Sequence, residues 1–469
     1  MLTAVAVSGY RSLRDVVVPL HGLDVVTGAN GSGKSSLYRA LRLLAGCGRG
    51  DVVGTLAREG GLQSALWAGP ATLGGARRGH AVQGTMRRGP ISLQLGFASD
   101  DFGYLVDLGL PQQASGFDGS SGSSGSTGSA FLRDPEIKRE VVWAGPVMRP
   151  GSVLVRRRWG VVETRGTGAA DDDWGSDWGD SSDGDEWESD PVARSGGRSG
   201  ARSGGGRTSG TGGRPARGWT ELTRSLRPWE SMLTELADPD RAPELLRVRR
   251  LVRGWRFYDG FRADADAPAR QSQVGTRTPV LADDGRDLAA AIQTIREDGR
   301  GELDRAVADA FDGAILDVTV DAGRFDLALH QPGMLRSLGV AELSDGTLRY
   351  LLLVAALLTV DPPPLLVLNE PETSLHPDLV PPLARLVRRA AERTQVMVVS
   401  HSAALVRELG ADPDGGGEDD DADDDEDDDR PAGLGSPARV VTLTKDLGET
   451  AVVGQGLLST PPWAWGTRR

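Results

Sequence analysis

Cysteine, lysine and long apolar runs are all scarce in this 469-residue chain. A single cysteine, Cys47, excludes an intramolecular disulfide framework and a cysteine-based zinc cluster. No apolar stretch approaches the roughly 20 residues that a membrane helix needs. The opening "MLTAVAVSGYRSL" lacks the basic start and unbroken apolar core of a signal peptide. These absences lead to the expectation of a cytoplasmic protein that does not contact a membrane. Lysine occurs only at Lys34, Lys138 and Lys445, so nearly all positive charge is arginine.

Negative charge is abundant but local. The net charge is -13, yet Asp171 to Asp190 holds ten acidic residues and Glu418 to Asp429 holds eleven, with no basic residue in either. Without those 21 charges the remainder stands at +8, a balance that permits contact with a polyanion without demanding it. The hydrophobic fraction of 39% is low because Gly/Ser/Arg and Asp stretches dilute it. The length allows two or three domains, or one large domain with insertions.

The N-terminal part alternates short apolar runs with turns. "LTAVAV", "DVVVPL" and "LDVV" read as strands, the last running into "TGANGSGKSS". "SLYRALRLLA" has helical spacing and is expected to end at Gly46. "ISLQLGF", "GYLVDLGL", "REVVWAG", "SVLVRRR" and "GVVETR" read as further strands, with a Gly/Ser loop at Ala114 to Ser129 between them. Residues 166–218 collapse into Asp, Gly, Ser and Arg and are expected to be a disordered insertion. "WTELTRSLRPWESMLTELADP", "APELLRVRRLVRGWRFYDGF" and "GRDLAAAIQTIREDGRGELDRAVADAF" are helical in period, and "AILDVTVDAGRFDLALH" reads as a strand pair. The last 130 or so residues return to alternating helix and strand. The organisation expected is an N-terminal lobe over 1–165, the insertion, a helical arm with a strand pair over 219–335, and a C-terminal lobe over 336–469 interrupted by an acidic loop at 411–437.

Gly28-Ala29-Asn30-Gly31-Ser32-Gly33-Lys34-Ser35 fits G-x-x-x-x-G-K-[ST], with an apolar strand before it and an amphipathic helix after it. Glycines let successive backbone N–H groups turn inward around a phosphate, and the helix N-terminus adds its partial positive charge. Lys34 can reach the β- and γ-phosphates, and the Ser35 hydroxyl can meet Mg²⁺; Ser36 completes the segment. The alternative, a glycine-rich helix cap, is disfavoured by this context and by the rarity of lysine elsewhere. Further on, "LSDGT" (Leu343 to Thr347) opens a helix with Ser344 at the N-cap position. About 20 residues later four apolar residues lead into Asn369-Glu370 and "PETSLHP", and about 30 after that "VMVVSHS" sets His401 at a strand end.

The order and spacing of these four segments resemble RecF/SMC-type ATP-binding cassette (ABC-type) ATPases, above all the small RecF-like ATPases of bacteria, in which "ExSLHP" commonly follows the acidic pair. The resemblance covers residues 1–45 and 340–405 well and the middle weakly. It implies an α/β P-loop NTPase of ABC-type head architecture, a mixed and parallel sheet flanked by helices, that uses ATP and Mg²⁺. It implies Glu370 as the general base, His401 as the histidine that senses the γ-phosphate, and Ser344 and Gly346 as contacts to a nucleotide on a second subunit, hence an ATP-dependent homodimer. It also suggests Arg11 near the phosphates and a glutamine, Gln94 or Gln112, at the metal. Position 369 is usually Asp in relatives. Asn keeps the oxygen acceptor and loses the charge, so weakened Mg²⁺ attraction and slow hydrolysis are expected.

No sustained heptad run occupies the middle, which excludes a long coiled-coil rod. The stretch after His401 in this sequence is short and holds the acidic tract, so no appended nuclease is expected in it. "RVRRLVRGWRF" is read as an amphipathic helix with Leu246, Leu251, Val252 and Trp255 inward, in preference to a nucleic-acid contact. The expected role is an ATPase whose dimer cycle acts on a partner, plausibly DNA in repair or defence. A transporter motor subunit and a non-hydrolysing nucleotide-gated scaffold are the alternatives.

Overall fold

The computed structural model describes residues 1–70, 92–111, 134–166, 218–410, 435, 437–455 and 460–465. The Gly/Ser tract, both acidic tracts, Gln112 and nearly all of the expected insertion lie outside them.

The chain opens with β1 (Leu2–Tyr10), β2 (Leu13–Pro19) and β3 (Leu23–Gly28), then α1 (Lys34–Arg49), α2 (Val52–Arg58) and α3 (Leu62–Ala65). Six strands follow: β4 (Ser92–Ser99), β5 (Phe102–Gly109), β6 (Glu136–Ala144), β7 (Val153–Arg158), β8 (Val161–Arg165) and β9 (Trp219–Thr223). Next come α4 (Met232–Glu235), α5 (Pro243–Gly254), β10 (Arg256–Asp259), β11 (Gln273–Val274), α6 (Leu288–Glu297) and α7 (Glu302–Ala310). The hairpin β12 (Ile315–Asp321) and β13 (Arg324–His330) precedes β14 (Leu338–Gly339) and α8 (Asp345–Leu357). The chain closes with β15 (Leu365–Asn369), α9 (Val380–Ala391), β16 (Gln395–Val399), α10 (Ala403–Glu408), β17 (Arg439–Asp446) and β18 (Glu449–Val452).

An eight-stranded antiparallel sheet runs β2-β1-β4-β5-β6-β7-β8-β9, and a six-stranded sheet runs β10-β15-β16-β3-β17-β18. In the second, β10, β15, β16, β3 and β17 are all parallel, and β18 closes the edge antiparallel. Strand β3 from the beginning of the chain is thus inserted between β16 and β17 from its end. A smaller sheet joins β11, β12, β13 and β14.

The alternation of side chains along each strand divides the core. Val26, Phe257, Val367, Met397, Val399 and Leu443 face α1 and the antiparallel sheet. Val25, Tyr258, Leu366, Leu368, Val396 and Val398 face the opposite way, with α6, α8 and α9. Each buried Leu or Val contributes about 1.5–3 kcal/mol relative to exposure. The far side of the antiparallel sheet is covered by Trp143, Trp219 and Trp463.

Three sequence expectations need correction. Helix α1 does not stop at Gly46 but runs on to Arg49, and Gly50 caps it at φ 77 with its N–H on the Gly46 carbonyl. Gly46 and Gly48 are buried within the helix, and a side chain on Gly48 would stand 3.0 Å from Val252 of α5. The smallness of Gly48 serves helix packing, not termination. "WTELTRSLRPWESMLTELADP" yields a strand and one turn of helix: Trp219 pairs with Arg165 of β8 and lies 4.0 Å from the Arg156 guanidinium, so a sheet partner overrides the helical period. "RFYD" is strand β10, not helix, because it pairs with β15. Of 219–335, expected as an arm, β9 therefore joins the antiparallel sheet and β10 the parallel one.

Helix α5 does form, with Leu245, Val248 and Val252 buried, and Trp255 and Phe257 beyond it are buried too. Leu246 and Leu251 are half-buried. Trp255 and Phe257 belong to the core, so neither is free to stack on a base.

Candidate functional site

The carboxyl ends of parallel strands form a natural binding edge, and here three of the four sequence motifs, the glycine loop, Asn369-Glu370 and His401, meet or approach it. Registers place Asp259 opposite Asn369, Asn369 opposite Val399, and Val399 opposite Val26. Gly28 ends β3 two residues farther along.

Around this edge the Gly28–Gly33 loop wraps into α1. Gly28, Gly31 and Gly33 have φ 145, 81 and 111, a region L side chains rarely enter. Space is restricted as well. A Cβ on Gly28 would stand 2.3 Å from the Leu443 carbonyl oxygen, and one on Gly33 2.2 Å from Thr450 Oγ1. Lys34 is buried, and its Nζ donates to the carbonyls of Gly28 (2.6 Å) and Ala29 (3.2 Å). Asn30 and Ser35 are exposed and Ser36 half-exposed. Ser32 Oγ is buried without a partner, an orphaned donor that suits a phosphate oxygen. The first amides of α1 have no intrahelical acceptor by construction.

Thr450 of β18 braces the loop from behind. Its hydroxyl donates to the Ser32 carbonyl at 2.7 Å and lies 2.8 Å from Ser12 Oγ, while its N–H bonds the Ser12 carbonyl. No local pattern announces this residue; only long-range strand pairing brings it there.

Glu370 follows β15 with φ 48 and its N–H on the Val399 carbonyl at 2.7 Å. A left-handed non-glycine residue costs of order 1–3 kcal/mol and often marks a functional position. His401 Nδ1 lies 3.4 Å from Glu370 Oε1 and 3.9 Å from Glu372 Oε1. Ser400 Oγ donates to Glu372 Oε1 at 2.5 Å, while Glu372 Oε2 is buried and unpartnered. Glu372 and Ser400 are members of the site that the motif reading passed over, although Glu372 stands inside "PETSLHP".

Asn369 ends β15 with Nδ2 donating to Asp259 Oδ1 at 2.9 Å and with Oδ1 buried and unpartnered. Among the described residues no cluster of three His, Cys, Asp or Glu could hold a metal ion. The unpartnered Asn369 Oδ1 and the exposed Ser35 make a sparse oxygen donor set that suits Mg²⁺, which takes few protein ligands beside phosphates and keeps several waters.

The remaining candidates lie elsewhere. Ser344 caps α8 by accepting from Thr347 N–H at 3.1 Å, and a side chain on Gly346 would stand 3.2 Å from the Ser374 carbonyl. Among the described residues neither hydrogen-bonds the Gly28–Ser36 loop. Arg11, at φ 47, directs its guanidinium to Glu59 at 3.0 Å. Gln94 is buried in the antiparallel sheet with Nε2 on Asp107 at 2.9 Å.

Residues 162–407 match the sequence model of a family described as "AAA domain, putative AbiEii toxin, Type IV TA system". No curated protein matches the chain. Three solved structures superpose loosely on 97% of it. One is an SMC head bound to the C-winged helix domain of ScpA, at 12% identity and TM-score 0.45 over 98% of that chain. The second is the SMC head domain from Thermotoga maritima, at 12% and 0.38 over 99%. The third is an Smc head domain with an extended coiled coil, bound to the C-terminal domain of ScpA derived from Pyrococcus furiosus, at 11% and 0.43 over 96%. Among the described residues no helix is long and apolar enough to cross a membrane. With more than half its length matched, the chain belongs to this AAA-domain family, and the glycine loop, Glu370 and His401 drawn to one edge of a parallel sheet fit the P-loop ATPase fold.

Proposed function

We propose that the chain binds Mg²⁺–ATP in the Gly28–Ser36 loop, hydrolyses it slowly, and closes into a homodimer over two nucleotides to act on a partner, either DNA or a protein. Lys34 releases the loop carbonyls to take the β- and γ-phosphates. The Ser35 hydroxyl and Asn369 would hold Mg²⁺, which when bound neutralises charge on the phosphate oxygens. Glu370 orients the attacking water and accepts its proton, and His401 couples the γ-phosphate to that carboxylate.

The observation that carries this reading is the division of the motifs. Lys34, Glu370 and His401 sit at one sheet edge, whereas among the described residues Ser344 and Gly346 engage only their own helix and the turn after Glu370. Residues so placed are available to a second subunit's nucleotide. Sedimentation of Glu370→Gln with and without ATP tests it: an ATP-dependent dimer is expected, and a species that stays monomeric with bound ATP contradicts it. Asn369 favours one second reading, a nucleotide-gated scaffold without turnover. Steady-state phosphate release that Glu370→Gln abolishes decides against the scaffold.

A further inference from the structure

Asn369 is not alone at its strand end. Asp259 stands opposite it on β10, and the carboxylate receives the amide N–H at 2.9 Å. A carboxylate accepts only, so the pairing fixes which way the amide is turned. The orphaned Oδ1 of Asn369 follows from that orientation. Asp259 is exposed, and among the described residues no lysine, arginine or histidine lies within ion-pairing distance of it.

Strand periodicity sets Phe257 and Asp259 on the same face of β10. Phe257 meets Tyr38 of α1 edge-on at 5.8 Å, and Tyr38 is one turn beyond Ser35. Burial pushes the Tyr38 hydroxyl well up; Arg42 opposes the rise and the Asp259 carboxylate adds to it. The charge of Asp259 is therefore felt at the first turns of the helix that the glycine loop opens.

We propose that Asp259 supplies, from the neighbouring strand, the negative charge toward a nucleotide-bound divalent cation that position 369 lacks, and that it holds Asn369 so the amide oxygen serves as the neutral acceptor beside it. The inference rests on the reading of the loop as a Mg²⁺–ATP site. An exposed carboxylate without a counter-ion repels a triphosphate; a divalent cation between them reverses that sign. Because Mg²⁺ keeps several waters, a carboxylate one strand removed can act through one of them.

If Asp259 only oriented the amide, Asn in its place would still accept that hydrogen bond, which separates the two roles. The test measures affinity of the full chain for a fluorescent ATP analogue, in Mg²⁺ and in EDTA. Asp259→Asn is expected to weaken binding in Mg²⁺ by about 10–100-fold and to leave binding in EDTA unchanged or tighter, which also reports a folded loop. Asp259→Asn with Asn369→Asp, which moves the charge across the strand pair, is expected to restore the Mg²⁺ enhancement. An enhancement that survives Asp259→Asn, or a double variant as weak as the single one, overturns the assignment while Lys34→Ala still abolishes binding. Affinity that ignores Lys34→Ala overturns this inference together with the reading beneath it.

Discussion

His401 Nδ1 stands 3.4 Å from Glu370 Oε1, across the ends of two adjacent parallel strands. The Glu370 N–H on the Val399 carbonyl holds the two segments together. In the proposed function, a γ-phosphate contact at His401 would reach the proposed base through this pair.

Glu370→Gln keeps the size and a hydrogen-bonding oxygen but cannot take a proton. Turnover is expected to fall by about 10²–10⁴-fold, with ATP affinity retained. His401→Ala is expected to lower turnover as well, with a smaller change in affinity. Single-turnover phosphate release beside equilibrium binding checks both, and a Glu370→Gln protein that turns over normally removes the base from this residue.

The glycine loop has no room for a methyl group where Thr450 braces it. Gly33→Ala places Cβ 2.2 Å from Thr450 Oγ1 at φ 111, and is expected to cost about 1–3 kcal/mol and to lose nucleotide binding. Thr450→Val removes the bond to the Ser32 carbonyl and is expected to weaken ATP binding without unfolding the protein. Urea melts and binding isotherms together separate the two effects.

Far from the site, Arg157 and Glu140 form an ion pair at 2.7 Å with both side chains fully buried. Glu140 also receives Tyr104 Oη, Ser231 Oγ and Met232 N–H, and Arg157 reaches the Arg227, Trp159 and Glu230 carbonyls. Removing one partner leaves a buried charge unpaired, so Arg157→Met is expected to cost about 3–5 kcal/mol in chemical denaturation. ATP binding by the folded fraction is expected to persist.

A pH effect follows from the link between α7 and α9. Arg389 Nη2 bonds Glu302 Oε1 at 2.6 Å, and that bond holds the Glu302 carboxyl below its ordinary range. A carboxyl depressed in the folded state adds stability above its unfolded pKa and loses it as pH falls through the folded one. Arg389→Gln is therefore expected to melt lower than wild type at neutral pH, by an amount within the roughly 0–1 kcal/mol of a surface pair, and the two curves converge in acid. A gap that widens in acid contradicts the assignment.

The sequence showed the edge of the site more fully than its depth. The glycine loop, Asn369-Glu370 and His401 are local patterns: a strand, a turn and a charged or small residue in order. Most strands and the amphipathic helices were equally legible, because burial on one face writes a period into the chain. Asp259 was hidden by a period that looked helical across Gly254, although "FYDG" has the grammar of a strand ending in an acid. Trp219 was misread for the same reason, since its conformation is set by β8 and the Arg156 guanidinium. Thr450 had no signal at all, as its role exists only once β18 reaches the glycine loop. Gly46 carried a false one, a helix stop where the helix in fact runs on three residues to Arg49.

The most direct measurement is calorimetric titration of Mg²⁺–ATP into wild type and Lys34→Ala. The account predicts saturable binding by wild type and a loss of at least about 100-fold in the variant, consistent with removing a charge-assisted phosphate contact. Equal affinities would mean that the Gly28–Ser36 loop does not hold the triphosphate, and would contradict the account.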